Sequence, residues 1–170
     1  MKKIIIFGAG EIAQLAHFYF SKQGTYEVCA FSVDDAYKTD DTFCELPVIP
    51  FSNLVNAYPP SRYAAFAALS YARMNTLRAQ KYAELKSLGY PIVSYISPQC
   101  TRLTDEIGEN CFILEDNTLQ PFSKIGNNVT LWSGNHIGHH AQIGDNCFIT
   151  SHVVISGGVK VGNNSFIGVN

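Results

Sequence analysis

The last third of the chain repeats an aliphatic residue at every sixth position, and this period constrains the fold more than any other feature. A period of six matches neither an α-helix nor a flat strand with alternating side chains. It is typical of a solenoid of short strands with one tight corner per hexad and three hexads per triangular coil. The alternative is an ordinary β-sandwich in which the spacing arises by chance. Eleven hexads run without insertion or deletion, starting at Ile107, Ile113, Leu119, Ile125, Leu131, Ile137, Ile143, Ile149, Ile155, Val161 and Ile167.

Two further positions of the hexad are restricted. The aliphatic residue is followed by glycine in six of the eleven hexads, and the fifth position carries a small or medium-sized residue in most. We expect the aliphatic side chain to fill the interior, the fifth residue to pack beside it, and the glycine to relieve the backbone at the corner. The glycines are Gly108, Gly126, Gly138, Gly144, Gly162 and Gly168.

Residues 1–96 follow a different pattern, in which strand and helix signals alternate. This order predicts a small α/β domain with a parallel sheet and helices on both faces, followed by the repeat domain over residues 97–170. The predicted strands are Lys3–Phe7, Tyr26–Phe31, Tyr63–Leu69 and Pro91–Ile96, and the predicted helices are Glu11–Lys22, Phe51–Tyr58 and Met74–Leu88.

Composition excludes several classes of function. The formal net charge is −2 and no basic block is present, which argues against nucleic acid or an anionic membrane as a partner. No apolar run approaches the roughly 18 residues of a membrane span. The five cysteines are odd in number, widely spaced and without a CxxC pair. This usage predicts a reduced, cytoplasmic protein without a disulfide framework or a zinc site.

A glycine-containing loop follows the first predicted strand and opens the first helix. Gly8 and Gly10 permit a tight turn and close approach of a phosphate, and Glu11 begins the helix, whose N-terminus favours an anion. About 95 residues are too few for both halves of a dinucleotide fold, so a mononucleotide or a nucleotide-sugar fits better than NAD. Asp34 or Asp35 then lies where a ribose or base would bind, with a plain turn as the alternative.

The histidines are the candidate bases. His136, His139, His140 and His152 fall at outward-facing hexad positions, whereas His17 lies on the first helix, where packing or surface exposure explains it. Three histidines within five residues are unusual on a solenoid surface. Their spacing does not match the three-histidine zinc sites of related solenoids, so we expect no metal.

The whole chain resembles the hexapeptide-repeat sugar acyltransferases of the sialic acid O-acetyltransferase and bacillosamine N-acetyltransferase types. The segments that carry the resemblance are Ile4–Ala13, Phe31–Asp35, Ile137–Asp145 and Ile149–Asn170. The resemblance implies a Rossmann-like N-terminal domain that binds a nucleotide-sugar, and a left-handed parallel β-helix. It also implies a homotrimer, with acetyl-CoA as co-substrate bound between neighbouring β-helices.

The resemblance assigns roles to individual residues. His139 matches the general base. His140 stands where many relatives have an acidic residue that orients the base, so we expect the group that orients His139 to come from elsewhere or to be absent. His136 becomes a supporting residue of the substrate site. Arg73 and Asn75 fall in a loop that contacts the nucleotide in relatives. The loop sequence differs here, so the alternative to a phosphate or sugar contact is that both are solvated residues at the start of a helix. Ser156, Gly157 and Gly168 fall in the region that binds the acyl donor.

Two hypotheses for function remain at this point. The first is an acetyl-CoA-dependent N- or O-acyltransferase acting on a nucleotide-linked sugar for surface polysaccharide. The second is a non-catalytic trimeric module that keeps the β-helix. Relatives continue beyond the position of Asn170, so we expect a chain truncated at the C-terminus, with an incomplete acyl-CoA site and reduced activity.

Overall fold

The computed structural model describes residues 1–169 and divides the chain into two compact units. The first comprises Met1–Ser70 and Gln80–Val93, and the second comprises Tyr71–Ala79 together with the chain from Ser94 onward. The predicted end of the repeat domain, Asn170, lies outside the described residues. Within residues 1–169 no helix is long and apolar enough to cross a bilayer.

The first unit is built on one five-stranded sheet in the order β3-β4-β2-β1-β5. Strands β1, β2, β4 and β5 run parallel, and the short β3 pairs antiparallel with β4. The strands are β1 (Lys2–Phe7), β2 (Tyr26–Val33), β3 (Thr42–Phe43), β4 (Leu46–Pro50) and β5 (Ala64–Ala67). The helices are α1 (Glu11–Gln23), α2 (Leu54–Ala57) and α3 (Thr76–Ser87), and 3-10 turns cover Asp35–Tyr37 and Phe51–Asn53.

Side chains along the central strands point alternately to the two faces of this sheet, and both faces are buried. On one face Phe20 of α1 packs edge-on against Phe66 of β5, with ring centroids 5.2 Å apart. On the other, Ile5 of β1 lies in a cluster with Leu54 of α2 and Leu85 of α3. Neighbouring side chains on a strand point to opposite faces, so the apolar runs of β1 and β5 fill both layers at once.

The end of the predicted first domain differs from the structure. The strand predicted over Pro91–Ile96 is wrong as one element: Ile92 makes only an isolated bridge to Ala65, and Tyr95–Ile96 pair with the repeat region instead. The chain enters the solenoid at Ser94, whose hydroxyl accepts the N–H of Cys111 and donates to the carbonyl of Gly108.

The second unit is a parallel solenoid of two-residue strands arranged in three sheets. We call these sheets the first face (β6, β8, β11, β14, β17), the second face (β7, β9, β12, β15) and the third face (β10, β13, β16). The strands are β6 (Tyr95–Ile96), β7 (Thr101–Arg102), β8 (Phe112–Ile113), β9 (Thr118–Leu119), β10 (Lys124–Ile125), β11 (Thr130–Leu131), β12 (His136–Ile137), β13 (Gln142–Ile143), β14 (Phe148–Ile149), β15 (Val154–Ile155), β16 (Lys160–Val161) and β17 (Phe166–Ile167).

The strand register confirms the hexads and extends them upstream. Leu131 pairs with Ile149, so a full coil takes three hexads. The solenoid begins before Ile107, because Tyr95 already pairs with Phe112. The aliphatic residues and most fifth-position residues line one continuous interior, from Cys111 to Ile155. The arrangement fits the predicted left-handed parallel β-helix.

The corners differ from the prediction in which residue adopts the unusual backbone. The left-handed residue is at the fourth hexad position, from Asn110 (φ 55°) to Asn164 (φ 60°), and not the glycine at the second. At Gly108, Gly126, Gly138 and Gly144 the second-position glycine instead permits close stacking of the next coil. A Cβ at Gly108 would lie 2.6 Å from Asn127 Oδ1, and one at Gly126 would lie 2.5 Å from Asp145 Oδ1. The predicted role of these glycines, relief of the backbone at the corner, was therefore wrong.

Candidate functional site

His139 stands on the corner between the second and third faces, where the chain passes from β12 to β13. Its backbone is fixed from both neighbouring coils. The His139 N–H donates to Gln120 Oε1 at 2.9 Å, and its carbonyl accepts the N–H of Gly158 at 2.9 Å. The imidazole is exposed and lies against the backbone of Gly157, where a Cβ would stand 2.7 Å from both Nε2 and Cε1. We call residues 138–141, with the adjacent segments 120–122 and 156–158, the histidine corner.

The second histidine of this corner contacts the first. Nδ1 of His139 lies 3.1 Å from Nδ1 of His140, and the two rings are nearly perpendicular, at 86°. His140 has a left-handed backbone, with φ 60°, and its ring packs on that of Phe122 at a centroid distance of 4.9 Å. Phe122 is itself left-handed and 65% exposed, an uncommon combination for an aromatic residue.

This geometry supports proton transfer at an exposed nitrogen. A neutral imidazole carries one N–H and one lone pair, and a hydrogen bond at Nδ1 decides which nitrogen holds the proton. With Nδ1 facing His140, the other nitrogen of His139 is left toward Gly157 and solvent. An exposed histidine whose ring lies against the backbone of a glycine is an arrangement suited to general base chemistry.

The remaining histidines are distributed elsewhere. His136 lies on β12 of the second face, half-buried between Thr118 and Val154 of the neighbouring strands. His152 lies on another corner, between the first and second faces, with its ring over Gly134. His17, on α1, packs edge-on against Phe31, and burial lowers its pKa. Among the histidines of residues 1–169, His139 and His140 are in direct contact with each other.

The three residues predicted to bind the acyl donor occupy different places. Gly157 belongs to the histidine corner and touches His139. Ser156 is exposed directly before it, and its carbonyl accepts the N–H of Val159 at 3.3 Å. Gly168 is exposed and follows β17 on the first face, away from that corner in the coil order. Their role toward an acyl donor stays a prediction.

The glycine loop of the first unit has the predicted strand–turn–helix context. Gly8 has φ 119° and donates its N–H to Ser32, and a Cβ there would lie 2.6 Å from the carbonyl oxygen of Ala68. Gly10 precedes α1, has φ −111°, and has open space where a Cβ would stand. Glu11 is exposed at the start of α1. The fold therefore requires glycine at position 8. At position 10 glycine leaves the surface of the loop without a side chain.

The aspartates after β2 have protein partners. Asp34 Oδ1 accepts from Lys81 Nζ at 2.6 Å, and Lys81 also pairs with Glu84 at 2.7 Å. Asp35 accepts the N–H of Ser52 at 3.0 Å, and hydrogen bonds from Ser52 hold the pKa of Asp35 below its usual range. Lys81 is 6% exposed and lies over two aromatic rings, 5.4 Å from that of Phe7 and 5.0 Å from that of Phe51.

Sequence reasoning missed Lys81 because a single lysine inside an amphipathic helix carries no local signal. It stands at the carboxyl ends of β1, β2 and β4, the edge at which parallel α/β sheets bind ligands. Burial acts to lower its pKa, but the hydrogen bonds to Asp34 and Glu84 outweigh that effect, and the pKa of Lys81 is raised.

Residues 71–79 form a strap over the first face of the solenoid, which sequence reasoning also missed. Tyr71 packs on Phe148 and Phe166. Asn75 is fully buried and donates to the carbonyls of Asn164 and Ser165, each at 3.2 Å. Asn75 was predicted to contact a nucleotide; its burial and these bonds favour a structural role, and the nucleotide contact stays untested. Arg73 is exposed, with φ 52°.

Arg78 anchors the strap. It is 2% exposed, donates to the hydroxyl of Thr130 and, at 3.2 Å each, to the carbonyls of Asn146 and Cys147. Its guanidinium lies 5.5 Å from the centre of the Phe148 ring, and burial lowers the pKa of Arg78 to about 10. The sequence does indicate that the first face is covered. Its outward positions carry aromatic residues or threonine, whereas those of the third face carry Lys124, Gln142 and Lys160.

The described residues contain no group of three or more histidine, cysteine, aspartate or glutamate side chains able to hold a metal ion. All five cysteines are free. Burial raises the pKa of the Cys111 thiol, to about 11, and also that of Cys147.

The comparisons with known proteins agree with the repeat and the fold. Residues 122–157 and 140–170 match the family model described as bacterial transferase hexapeptide (six repeats). No curated protein matches the sequence.

Among solved structures, a histidine-to-asparagine mutant of perosamine N-acetyltransferase from Caulobacter crescentus, in complex with CoA and GDP-perosamine, is 19% identical with a TM-score of 0.83. The alignment covers 96% of this chain and 76% of that one. WeeI from Acinetobacter baumannii is 21% identical with a TM-score of 0.83, covering 98% of this chain and 78% of that one. The acetyltransferase domain of PglB from Neisseria gonorrhoeae is 18% identical with a TM-score of 0.73. The alignment covers 100% of this chain and 93% of that one.

These likenesses establish a common fold over nearly the whole chain. The match to the family model independently establishes the repeat that the sequence predicted. The resemblance to the hexapeptide-repeat sugar acyltransferases, inferred from the sequence alone, is thereby confirmed in repeat and in fold.

Proposed function

We propose that the protein is an acyltransferase that moves an acetyl group from acetyl-CoA to an amino or hydroxyl group of a nucleotide-linked sugar. The observation that carries the proposal is the exposed imidazole of His139, which lies against Gly157 and extends from a backbone held by hydrogen bonds to both adjacent coils. The shared fold supports it, because structures with that fold include N-acetyltransferases in complex with CoA and GDP-perosamine.

The chemistry requires a base and a site for the developing negative charge. Nε2 of His139 removes the proton from the acceptor as its nitrogen or oxygen bonds to the thioester carbonyl carbon. The carbon–sulfur bond then breaks, and CoA leaves as the thiol with the proton from His139. Backbone N–H groups near Gly157 are the candidate donors to the carbonyl oxygen, with Ser156 beside them, and Gly168 is a further candidate contact to the acyl donor.

The first unit is proposed as the binding domain for the nucleotide part of the acceptor, in a Rossmann-like arrangement. Gly10 keeps space open before α1, whose N-terminus favours a phosphate, and Glu11 borders it. Gly8 forms the turn. Asp34 and Asp35 follow β2 at the same edge of the sheet and are the candidate contacts to ribose or base. Arg73 and His136 are kept as candidate contacts to the sugar.

A homotrimer in the cytoplasm completes the proposal. The histidine corner separates the second and third faces, whereas the first face carries the strap. The second and third faces meet at His139, and the strap of residues 71–79 does not cover them. A second copy of the chain packed against these faces would enclose the histidine corner. Size-exclusion chromatography with light scattering measures the oligomeric state directly.

The deciding experiment incubates the protein with acetyl-CoA and a panel of UDP-, dTDP- and GDP-linked amino and deoxy sugars. We expect release of CoA thiol with one class of acceptor, and mass spectrometry of the product identifies the acylated sugar. If no acceptor releases CoA above the rate of background hydrolysis, the catalytic proposal fails and the non-catalytic trimeric module is the better description.

A further inference from the structure

The contact between the two adjacent histidine rings has a chemical consequence. A hydrogen bond between Nδ1 of His139 and Nδ1 of His140, 3.1 Å apart, requires one ring to donate and the other to accept. If His139 donates, its Nδ1 holds the proton and its Nε2 has a free lone pair. If His140 donates, Nε2 of His139 is protonated and cannot act as a base.

We propose that His140 is a positioning residue that accepts the Nδ1–H of His139 and so keeps the lone pair of His139 on Nε2, beside Gly157. The direction of this hydrogen bond rests on the proposed function, since a base needs that lone pair. An acceptor at Nδ1 is the general way in which proteins fix an imidazole tautomer. Here a second imidazole, and not a carboxylate, supplies it.

The surroundings of His140 suit a fixed acceptor. Its ring packs on Phe122 at 4.9 Å with an interplanar angle of 37°, and its N–H donates to the carbonyl of Pro121 at 3.3 Å. These contacts come from the preceding coil, so both the backbone and the ring of His140 are held. The contact with the ring of His140 also accounts for Phe122, an exposed aromatic residue with a left-handed backbone at this corner.

The repeat itself provides matched substitutions for a test. From Asn110 to Asn164 the fourth hexad position is left-handed, and its occupants include asparagine, as at Asn128, glycine, as at Gly158, and aspartate at Asp116. His140→Asn and His140→Gly therefore both suit the backbone. Asparagine keeps an acceptor oxygen near Nδ1 of His139, and glycine removes it. His140→Asp adds a stronger acceptor at the same place.

The test is ¹⁵N NMR of labelled protein at a pH where the rings are neutral, which reports the tautomer of His139 without any substrate. We expect a protonated Nδ1 in the wild type and in His140→Asn and His140→Asp, and a shift toward protonated Nε2 in His140→Gly. Steady-state kinetics should show kcat of His140→Gly falling by about 10- to 100-fold at unchanged KM, with recovery in the two acceptor variants.

The result that overturns the proposal is a protonated Nε2 on His139 in the wild type, or a tautomer that His140→Gly leaves unchanged. Absence of turnover in the wild type would count against the proposed function alone, because the tautomer measurement needs none. A fall in kcat in His140→Asn equal to that in His140→Gly would also contradict the proposal, since it would show that an acceptor does not replace the ring.

Discussion

The ring of His139 lies directly against the backbone of Gly157, one coil further along the solenoid, so that a Cβ at this glycine would stand 2.7 Å from both Nε2 and Cε1. No residue other than glycine fits without moving the imidazole. The absence of a side chain at Gly157 therefore leaves room for the ring of the proposed base.

Gly157→Ala is expected to displace the ring of His139 and to lower kcat by about 100-fold, because catalysis is sensitive to misplacements of about 1 Å. Gly162→Ala is the matched control, since nothing lies within 4 Å of a Cβ there. Acyl-transfer kinetics and thermal unfolding of both variants check this. Full activity of Gly157→Ala would show that the ring is placed by other contacts.

Arg78→Met should lower the free energy of unfolding by about 2–4 kcal/mol, because it removes the donor to the buried hydroxyl of Thr130 and to the carbonyl of Asn146, and one of the two donors to the carbonyl of Cys147. Arg73→Ala, at an exposed position of the same strap, should change it by less than about 0.5 kcal/mol. Urea denaturation followed by circular dichroism measures both. Equal effects at the two positions would contradict the anchoring role of Arg78.

Gly10→Ala should leave thermal stability almost unchanged and raise the KM for the nucleotide-sugar by about 10-fold, because its Cβ meets only open space in the free protein. Gly8→Ala should instead lose about 2–4 kcal/mol of stability, given its φ of 119° and the 2.6 Å approach to the carbonyl of Ala68. Differential scanning fluorimetry and substrate titration separate the two effects. An unchanged KM in Gly10→Ala would argue against a phosphate at this loop.

The ion pairs of Lys81 give the first unit a predictable response to acid. Burial acts to raise the pKa of Glu84, but hydrogen bonds from Lys81 and Gln80 outweigh it, and the pKa of Glu84 lies below its ordinary value. A carboxyl whose pKa is lower in the folded than in the unfolded state contributes stability above the unfolded value, near ~4.3, and loses it as the pH falls through the folded value.

Glu84→Gln should therefore lose less stability than the wild type between pH ~5 and pH ~3. Lys81→Met removes the cation that lowers the pKa of Glu84, so the free energy of unfolding should depend less on pH between pH ~5 and pH ~3. Chemical denaturation across this pH range tests the pair as a double-mutant cycle. Additive effects of the two substitutions would show that the two side chains do not interact in solution.

The hexad period predicted the strand register and the interior of the solenoid, because a strict repeat places every sixth residue alike. The same pattern misassigned the left-handed residue at the corner. Both the second and the fourth positions accept glycine, and the steric reason for each becomes visible only when the coils are stacked, as at Gly108 against Asn127.

What the sequence did not predict depends on contacts distant along the chain. Strand β4, with the sequence LPVIP, has prolines at both ends that lowered its strand signal, yet Val48 pairs with Phe31 in the sheet. One partner of Lys81, Asp34, lies 47 residues away, and one partner of Arg78, Thr130, lies 52 residues away. No local pattern encodes such pairs.

The most direct test of the account compares kcat for acyl transfer in His139→Asn and His152→Asn. Both histidines lie on corners of the same solenoid with their rings against a glycine, Gly157 and Gly134 respectively, but only His139 adjoins His140. We predict that kcat falls by about 10²- to 10⁴-fold in His139→Asn and stays within about threefold of the wild type in His152→Asn. Wild-type kcat in His139→Asn, with both variants folded, would contradict the assignment of His139 as the base.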